Sequence, residues 1–150
     1  MLKSGIEAGA AESMDRFAES LLSKPQASEV HMQYVDGFVV PVPRKNLRAY
    51  RRMAQLAGKV WREHGALDYR EYVADDVKVG KLTSFPRSVK LKRGETVIFA
   101  WIAYKSRAQR DQVNAKVMKD PRLAKMMDPK AMPFDGKRMF WGGFKLLIGA

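Results

Sequence analysis

The sequence contains no cysteine and only two histidines among its 150 residues. Disulfide bonds, thiolate zinc sites, iron–sulfur clusters and cysteine nucleophiles are therefore excluded for this chain. Two histidines without cysteine give no spacing typical of metal ligands, so the sequence predicts neither a metal site nor a cofactor. The lack of cysteine also fits a reducing compartment, and we expect a cytoplasmic protein.

Long apolar segments are absent as well. The longest uninterrupted apolar run is the eight residues 97–104, whereas a membrane-spanning helix needs about 20. Residues 1–31 have no apolar region of the kind found in secretory signals. With 46% hydrophobic and 29% charged residues, the composition is that of a globular protein with no expected membrane association.

Acidic residues are scarce relative to basic ones, 16 against 28, which gives a formal net charge of +12. Residues 1–31 nevertheless contain five acids and three bases, whereas residues 32–150 contain 11 acids and 25 bases. This change in charge predicts two parts. Residues 1–31 form an N-terminal extension, weakly ordered or forming a short helix, and residues 32–150 form the folded domain.

Hydrophobic patterning predicts four strands in residues 32–150. The strands at 34–42, 67–74, 96–104 and 139–148 are rich in β-branched or aromatic residues. Two adjacent glycines, Gly142 and Gly143, lie in the last strand and indicate either a bulge or a close approach of another backbone.

Two long helices and one short helix are predicted between these strands. The first begins after Asn46, the expected N-cap, and its apolar positions recur every three or four residues up to Gly65. The second begins at Ser106, which has Gln109 at capping-box spacing, and Asp120 is the expected cap of the short helix.

The order strand, helix, strand, strand, helix, strand predicts an α+β fold. It is typical of the ferredoxin-like βαββαβ arrangement, an antiparallel sheet with both helices on one face. Two helices cover only one side of four strands, yet the third and fourth strands are apolar on both sides. We therefore expect a homodimer in which a second copy covers the open face, the arrangement of a dimeric α+β barrel.

Six blocks of sequence resemble, in order, those of a family of small bacterial proteins of unknown function, the YbaA-like family. The blocks are YVDGFVVPVP at 34–43, VWREHGAL at 60–67, TSFPRSVK at 83–90, DPRL at 120–123, MPFDGKRM at 132–139 and GGF at 142–144. The resemblance implies a dimeric α+β barrel and leaves residues 1–31 outside the family pattern. Barrels of this superfamily include cofactor-free oxygenases, isomerases and haem-degrading enzymes, so the resemblance implies no single chemistry.

His64 and Asp36 are the candidate catalytic residues. His64 ends the apolar stripe of the first helix, one turn after Trp61, and an imidazole facing the sheet is suited to acid–base chemistry near neutral pH. Asp36 lies among apolar residues of the first strand and is a candidate partner for His64. Under the alternative interpretation His64 only satisfies the helix end, and Asp36 pairs with Arg138 or with a backbone amide.

Aromatic residues on the predicted core elements are candidate walls of a small apolar pocket between the first helix and the sheet. The ligand-binding candidates are Phe38, Trp61, Trp101 and Tyr104. The alternative is that these side chains fill the core and the dimer interface. A pocket of this kind predicts binding of a small metabolite, and the sequence leaves open whether the protein is an enzyme. For an enzyme, we expect a cofactor-independent oxygenase or isomerase.

A basic segment between the second and third strands predicts a different function. No acid lies between Asp76 and Glu95, and Phe85 is placed to stack on a base, as in a module that binds RNA or another polyanion. The competing interpretation is a hairpin extension that reaches over the dimer partner. Because no RNA-recognition motif is present, nucleic acid is the less favoured partner. The polyanion-binding candidates are Lys81, Arg87, Lys90, Lys92 and Arg93.

Overall fold

A computed structural model describes residues 32–150 of the chain. The N-terminal extension predicted for residues 1–31 lies outside the described residues. The described part forms four strands and four α-helices, and a short 3-10 turn, Arg44–Asn46, precedes the first helix. In chain order they are β1 (Tyr34–Pro43), α1 (Leu47–Glu63), β2 (Asp68–Val73), α2 (Phe85–Ser88), β3 (Glu95–Tyr104), α3 (Arg107–Met118), α4 (Pro121–Met126) and β4 (Phe140–Lys145).

The four strands form one antiparallel sheet in the order β2-β3-β1-β4. The two central strands, β1 and β3, are paired over ten residues, from Tyr34 opposite Tyr104 to Pro43 opposite Glu95. β-branched and aromatic residues fill both strands, and these residue types suit a pleated, buried backbone. The predicted α+β class with a four-stranded antiparallel sheet is confirmed.

One face of the sheet packs against α1, α3 and α4. Its core contains Val60 of α1, Ile102 and Tyr104 of β3, and Val113 and Val117 of α3, all 3% exposed or less. The apolar stripe recognised in the sequence therefore positions α1 on the sheet, because apolar residues spaced three or four apart share one side of a helix. None of the helices in residues 32–150 combines the length and the apolar character needed to cross a membrane.

The opposite face of the sheet, called the open face below, remains largely exposed. Its most exposed aromatic side chains are Tyr72, Phe99, Phe140 and Phe144, which are 46% to 66% exposed. At one end the segment containing α2 covers it, where Val89 packs against Val39 and Val97.

The helix ends follow their sequence signals with one exception. Ser106 Oγ accepts a hydrogen bond from Gln109 N at 3.1 Å, and Asp120 Oδ1 accepts one from Arg122 N at 2.9 Å. Gly65 has φ +120°, a conformation that side chains rarely adopt. Asn46 occupies the predicted N-cap position of α1, but its side chain makes no capping hydrogen bond, and its Nδ2 donates to Pro133 O at 2.9 Å. Asn46 therefore fastens the start of α1 to the loop before β4.

Gly142 and Gly143 form no bulge, because β4 pairs with β1 in regular register from Lys145 opposite Tyr34 to Phe140 opposite Val39. The predicted close approach of another backbone is not what Gly143 accommodates, because the atoms nearest to a Cβ there belong to side chains. A Cβ atom there would overlap the Tyr34 hydroxyl and lie 2.9 Å from Arg110 Nη2. Glycine at this position therefore provides the space for the Arg110 side chain.

Candidate functional site

A cavity of about 230 Å³ lies between the helix-covered face of the sheet and helices α1, α3 and α4. Its walls are mainly apolar, and six of the nine methionines of the chain contribute to them. Met118 and Met127 are 62% and 53% exposed, so they lie where the cavity meets solvent. Flexible, polarisable thioethers adapt to the shape of a bound molecule. The six are Met53, Met118, Met126, Met127, Met132 and Met139.

Asp36 is the carboxyl group in the β1 wall of this cavity. It is 1% exposed, and its Oδ1 lies 3.4 Å from Arg110 Nη1 without a hydrogen-bond partner among the described residues. Burial raises the pKa of Asp36, and the Arg110 charge opposes that rise only in part. Asp36 therefore holds a proton at higher pH than an ordinary aspartate, as a group that transfers protons in a cavity should.

Arg110, on α3, is held beside Asp36 by aromatic rings. Its guanidinium carbon lies 5.1 Å from the centre of the Tyr34 ring and 5.9 Å from that of the Trp141 ring. Arg110 Nη2 donates to the Tyr34 hydroxyl at 3.1 Å, and Arg110 Nε lies 3.2 Å from Asp111 Oδ1. Because its side chain is only 12% exposed, the guanidinium is an oriented positive charge next to the carboxyl group.

Asn114, also on α3, joins two aromatic side chains near Asp36. Its Oδ1 accepts hydrogen bonds from Trp61 Nε1 at 3.1 Å and from the Tyr104 hydroxyl at 3.3 Å. Burial raises the pKa of Tyr104, so this phenol stays protonated. Asn114 and Trp61 line the cavity, whereas Tyr104 is fully buried behind it.

A second polar cluster lies in the β2 wall of the cavity. The two carboxylate oxygens of Glu71 accept hydrogen bonds from the hydroxyls of Tyr50 and Tyr69. Burial, together with the Glu71 charge, raises the pKa of both phenols, so they remain donors. These three residues also line a second groove, between α1 and β2, and thus form the wall between the two spaces.

The predicted site residues divide between the cavity and other places. Asp36, Phe38 and Trp61 line the cavity together. Trp101 lies on the open face, where it is paired with Gly37. Alternate residues of β3 point to opposite sides of the sheet, and its neighbours Ala100 and Ile102 face the helices.

His64 and Asp36 are not brought together. His64 Nε2 lies 2.9 Å from Asp120 Oδ2, and Asp120 also binds Arg122. The hydrogen bond from Arg122, followed by that from His64, lowers the pKa of Asp120. This cluster fastens the end of α1 to the start of α4, because His64 follows the last turn of α1 and Asp120 caps α4. Within residues 32–150, no three potential ligands from His, Asp and Glu are grouped to hold a metal ion.

The alternative partner proposed for Asp36 is also engaged elsewhere. Arg138 Nη2 lies 2.5 Å from Glu95 Oε2, and Arg138 Nε lies 3.0 Å from Asp135 Oδ2. Arg138 thus binds the start of β3 and the turn before β4. Asp36 contacts Arg110 of α3 instead.

The five candidate polyanion-binding residues are all exposed. They lie on or near α2, and Phe85 packs edge-on against Phe99 with ring centres 5.9 Å apart. The Arg87 guanidinium donates to the Gly80 carbonyl oxygen. This segment is therefore anchored to one end of the open face, and polyanion binding by it stays a prediction.

Four polar residues of the cavity region were missed by sequence reasoning. Each lies on the inward side of its element, at a position where the apolar pattern is interrupted. Glu71 alternates with Tyr69 on the inward face of β2, and Arg110 and Asn114 flank Val113 on the inward side of α3. A polar residue on an otherwise apolar face is thus the signal that identifies them. The four are Tyr50, Glu71, Arg110 and Asn114.

Replacing Asp36 with asparagine tests the raised pKa through stability. The folded state binds the Asp36 proton more tightly than the unfolded state, whose pKa is 3.8. The contribution of this group to stability is therefore lost as pH rises from that value through the folded pKa. We expect the unfolding free energy of wild type, minus that of Asp36→Asn, to fall as pH rises above 3.8. Urea unfolding across this range measures it, and a difference that rises with pH contradicts the prediction.

Comparison with known proteins identifies relatives of this chain. The family described as "Protein of unknown function (DUF1428)" matches residues 33–136. The protein described as "Uncharacterized protein YbaA" of Escherichia coli strain K12 is 49% identical over 117 residues, which cover 78% of this chain and 98% of the relative. The protein of the same description from Shigella flexneri gives the same values.

A solved structure is similar in outline. It is a nipsnap family protein with unknown function from Agrobacterium tumefaciens, with a TM-score of 0.45 and 16% sequence identity over 77% of this chain and 89% of that chain. The family match and the 49% identity carry the assignment. The chain belongs to the DUF1428 family of proteins of unknown function and is similar to the uncharacterised protein YbaA.

Proposed function

We propose that the protein binds a small, mostly apolar organic molecule in the cavity between α1 and the sheet, with Asp36 as its polar contact. The observation that carries this proposal is a carboxyl group 1% exposed, with an unpartnered oxygen, in a cavity lined mainly by methionine and aromatic side chains. A buried carboxyl group without full hydrogen bonding destabilises the fold. Its presence in a cavity is typical of a binding or catalytic group.

The size of the cavity supports a ligand of one or two rings. A dry cavity of about 150 Å³ lined by apolar side chains binds benzene, and the present cavity is about 230 Å³. Small side chains create this space, because Ala57 of α1 and Ala100 of β3 lie in opposite walls.

The chemistry that the cavity supports best is transfer of a proton. Asp36 takes up or releases a proton, and the Arg110 charge 3.4 Å away stabilises the ionised form. A reaction that moves a proton between two atoms of one substrate requires only such a group. Among the enzyme classes expected from the sequence, we therefore propose an isomerase.

Filling the cavity tests this proposal. Ala100→Leu adds three carbons to the cavity wall, so we expect binding of a small aromatic probe such as indole to weaken by about tenfold or more, with the fold retained. Ala115→Leu is the control, because Ala115 is exposed on α3 and lies outside the cavity wall. Isothermal titration calorimetry measures both affinities. Equal affinity of the two variants for indole contradicts binding in this cavity.

We also propose that residues 32–150 form a ferredoxin-like protomer and that two copies pair through their open faces into a dimeric α+β barrel. Exposed aromatic residues on that face support the pairing, since such patches are uncommon on monomers. Two strands of ten residues and two of six, about 4.8 Å apart and rising about 3.3 Å per residue, offer about 500 Å² of surface, somewhat more than half of the roughly 800 Å² per partner of a standard interface. In a two-fold dimer, the open face of the second copy packs its own apolar surface against the first.

A charge on the open face is expected to separate the two copies. Phe99 is 46% exposed at the centre of that face, so Phe99→Glu places two carboxylates in the proposed interface. Sedimentation at micromolar concentration should give twice 17.0 kDa for the wild type and 17.0 kDa for the variant. Leu56→Glu, on the outer surface of α1, is the control and should remain a dimer. A monomeric wild type contradicts the proposal.

A further inference from the structure

We infer that the ligand is a flat aromatic molecule of one or two rings that carries a hydroxyl group, and that this hydroxyl hydrogen-bonds to Asp36. This inference rests on the proposed function, since it specifies the class of molecule that the cavity takes. It follows from the hydrogen bonding around Asp36, from the second polar cluster and from the side chains that form the remaining wall.

The hydrogen bonding around Asp36 is incomplete. The groups that face it are Arg110, Asp111 and Asn114 from α3 and Tyr104 from β3; Asn114 and Tyr104 lie within hydrogen-bonding reach of the carboxyl group, but its Oδ1 has no partner among the described residues. Asn114 Oδ1 already accepts hydrogen bonds from Trp61 and Tyr104, and Arg110 lies 3.4 Å from Asp36 Oδ1 without a hydrogen bond to it. A hydroxyl group both donates and accepts hydrogen bonds. It therefore provides the missing hydrogen-bond partner of this carboxyl group whether Asp36 is protonated or ionised. A carbonyl or ether oxygen on the ligand only accepts hydrogen bonds, so it pairs with the carboxyl group only when Asp36 is protonated.

The second polar cluster, around Glu71, needs no hydrogen-bond partner from the ligand. Both oxygens of Glu71 already accept hydrogen bonds, from Tyr50 and Tyr69. This wall of the cavity is therefore satisfied within the described residues. The ligand needs a polar group near Asp36 and an apolar body elsewhere.

The remaining wall favours an aromatic body. Methionine sulfur interacts favourably with aromatic rings, and six methionines line this cavity. Phe38 and Trp61 add aromatic faces and edges on the sheet and on α1. Ala57 and Ala100 lie in opposite walls, and their small side chains leave the space for a ring.

Three probes of nearly equal size test the inference by calorimetry on the wild-type protein. They are 2-naphthol, 2-methoxynaphthalene, which lacks the O–H donor, and 2-decalol, which keeps the hydroxyl but is not aromatic. We expect 2-naphthol to bind about tenfold more tightly than either of the others. Equal binding of 2-naphthol and its methyl ether overturns the hydroxyl contact. Equal binding of 2-naphthol and 2-decalol overturns the aromatic class.

The double variant Asp36→Leu/Arg110→Met removes both charges together, so neither is left buried without its partner. We expect this variant to bind 2-naphthol and its methyl ether equally, and a retained preference for 2-naphthol overturns the role of Asp36. Circular dichroism checks its fold, and the wild-type probe series decides the inference if the variant does not fold. Failure of all three probes to bind the wild type overturns the proposed function itself.

Discussion

Replacing Arg138 with alanine is expected to lower the free energy of unfolding by about 3 kcal/mol or more. Arg138 Nη1 and Nη2 bind both oxygens of Glu95, which is 7% exposed, and Nη1 also donates to the Val89 and Lys90 carbonyl oxygens. The hydrogen bond from Arg138 is the main cause that lowers the pKa of Glu95. Removing the guanidinium leaves the buried Glu95 carboxylate with only the Lys92 amide as donor and takes the Arg138 donor from two carbonyl groups.

Urea unfolding near neutral pH measures the loss, and a double variant separates its causes. Arg138→Ala/Glu95→Gln no longer contains the buried charge, so we expect it to recover part of the lost stability. A loss of unfolding free energy below about 1 kcal/mol for Arg138→Ala alone contradicts this account, because exposed ion pairs stabilise proteins by no more than that.

Replacing Gly143 with alanine is expected to disturb the site as well as the fold. A Cβ atom at this position overlaps the Tyr34 hydroxyl and lies 2.9 Å from Arg110 Nη2, so Arg110 is displaced from Asp36. We expect a loss of about 2 kcal/mol in unfolding free energy, typical of an overpacked position. Binding of 2-naphthol should weaken as well, because Asp36 loses its neighbouring charge.

Gly142→Ala is the matched control for Gly143→Ala. The two glycines are adjacent in β4, yet a Cβ at Gly142 meets only Phe144 Cε1, at 3.8 Å, an ordinary contact. Alanine in a strand interior is more favourable than glycine by about 0.5–1 kcal/mol, so this variant should be as stable as the wild type or slightly more stable. Equal losses in the two variants would show that Arg110 does not depend on the space at Gly143.

The elements of the fold were predictable because their signals are local. The period of apolar residues placed α1 and the four strands, and Ser106, Asp120 and Gly65 marked helix ends through interactions within a few residues. The N-cap position of Asn46 was predictable, but the partner of its side chain was not, since its hydrogen bond reaches Pro133 across 87 positions of sequence. No local pattern reports a contact of that span.

The cavity was only partly predictable for the same reason. Asp36 was recognised because a carboxyl group interrupts an apolar strand, and Trp61 because it lies on the apolar stripe of α1. The partner of Asp36 comes from α3, 74 positions later in the chain, and depends on how that helix crosses the sheet. His64 was chosen as a catalytic candidate for its chemistry, but the position of Asp120 decides where its imidazole points.

The most direct test of the central claim is a nuclear magnetic resonance titration with methionine methyl groups labelled with carbon-13. Met53, Met126, Met132 and Met139 line the cavity, whereas Met32 is the one methionine of residues 32–150 outside it. On addition of 2-naphthol, the account predicts saturable shifts of the cavity methyl signals and an unchanged Met32 signal. Cavity signals that stay in place, or that move no more than Met32, would contradict binding in this cavity.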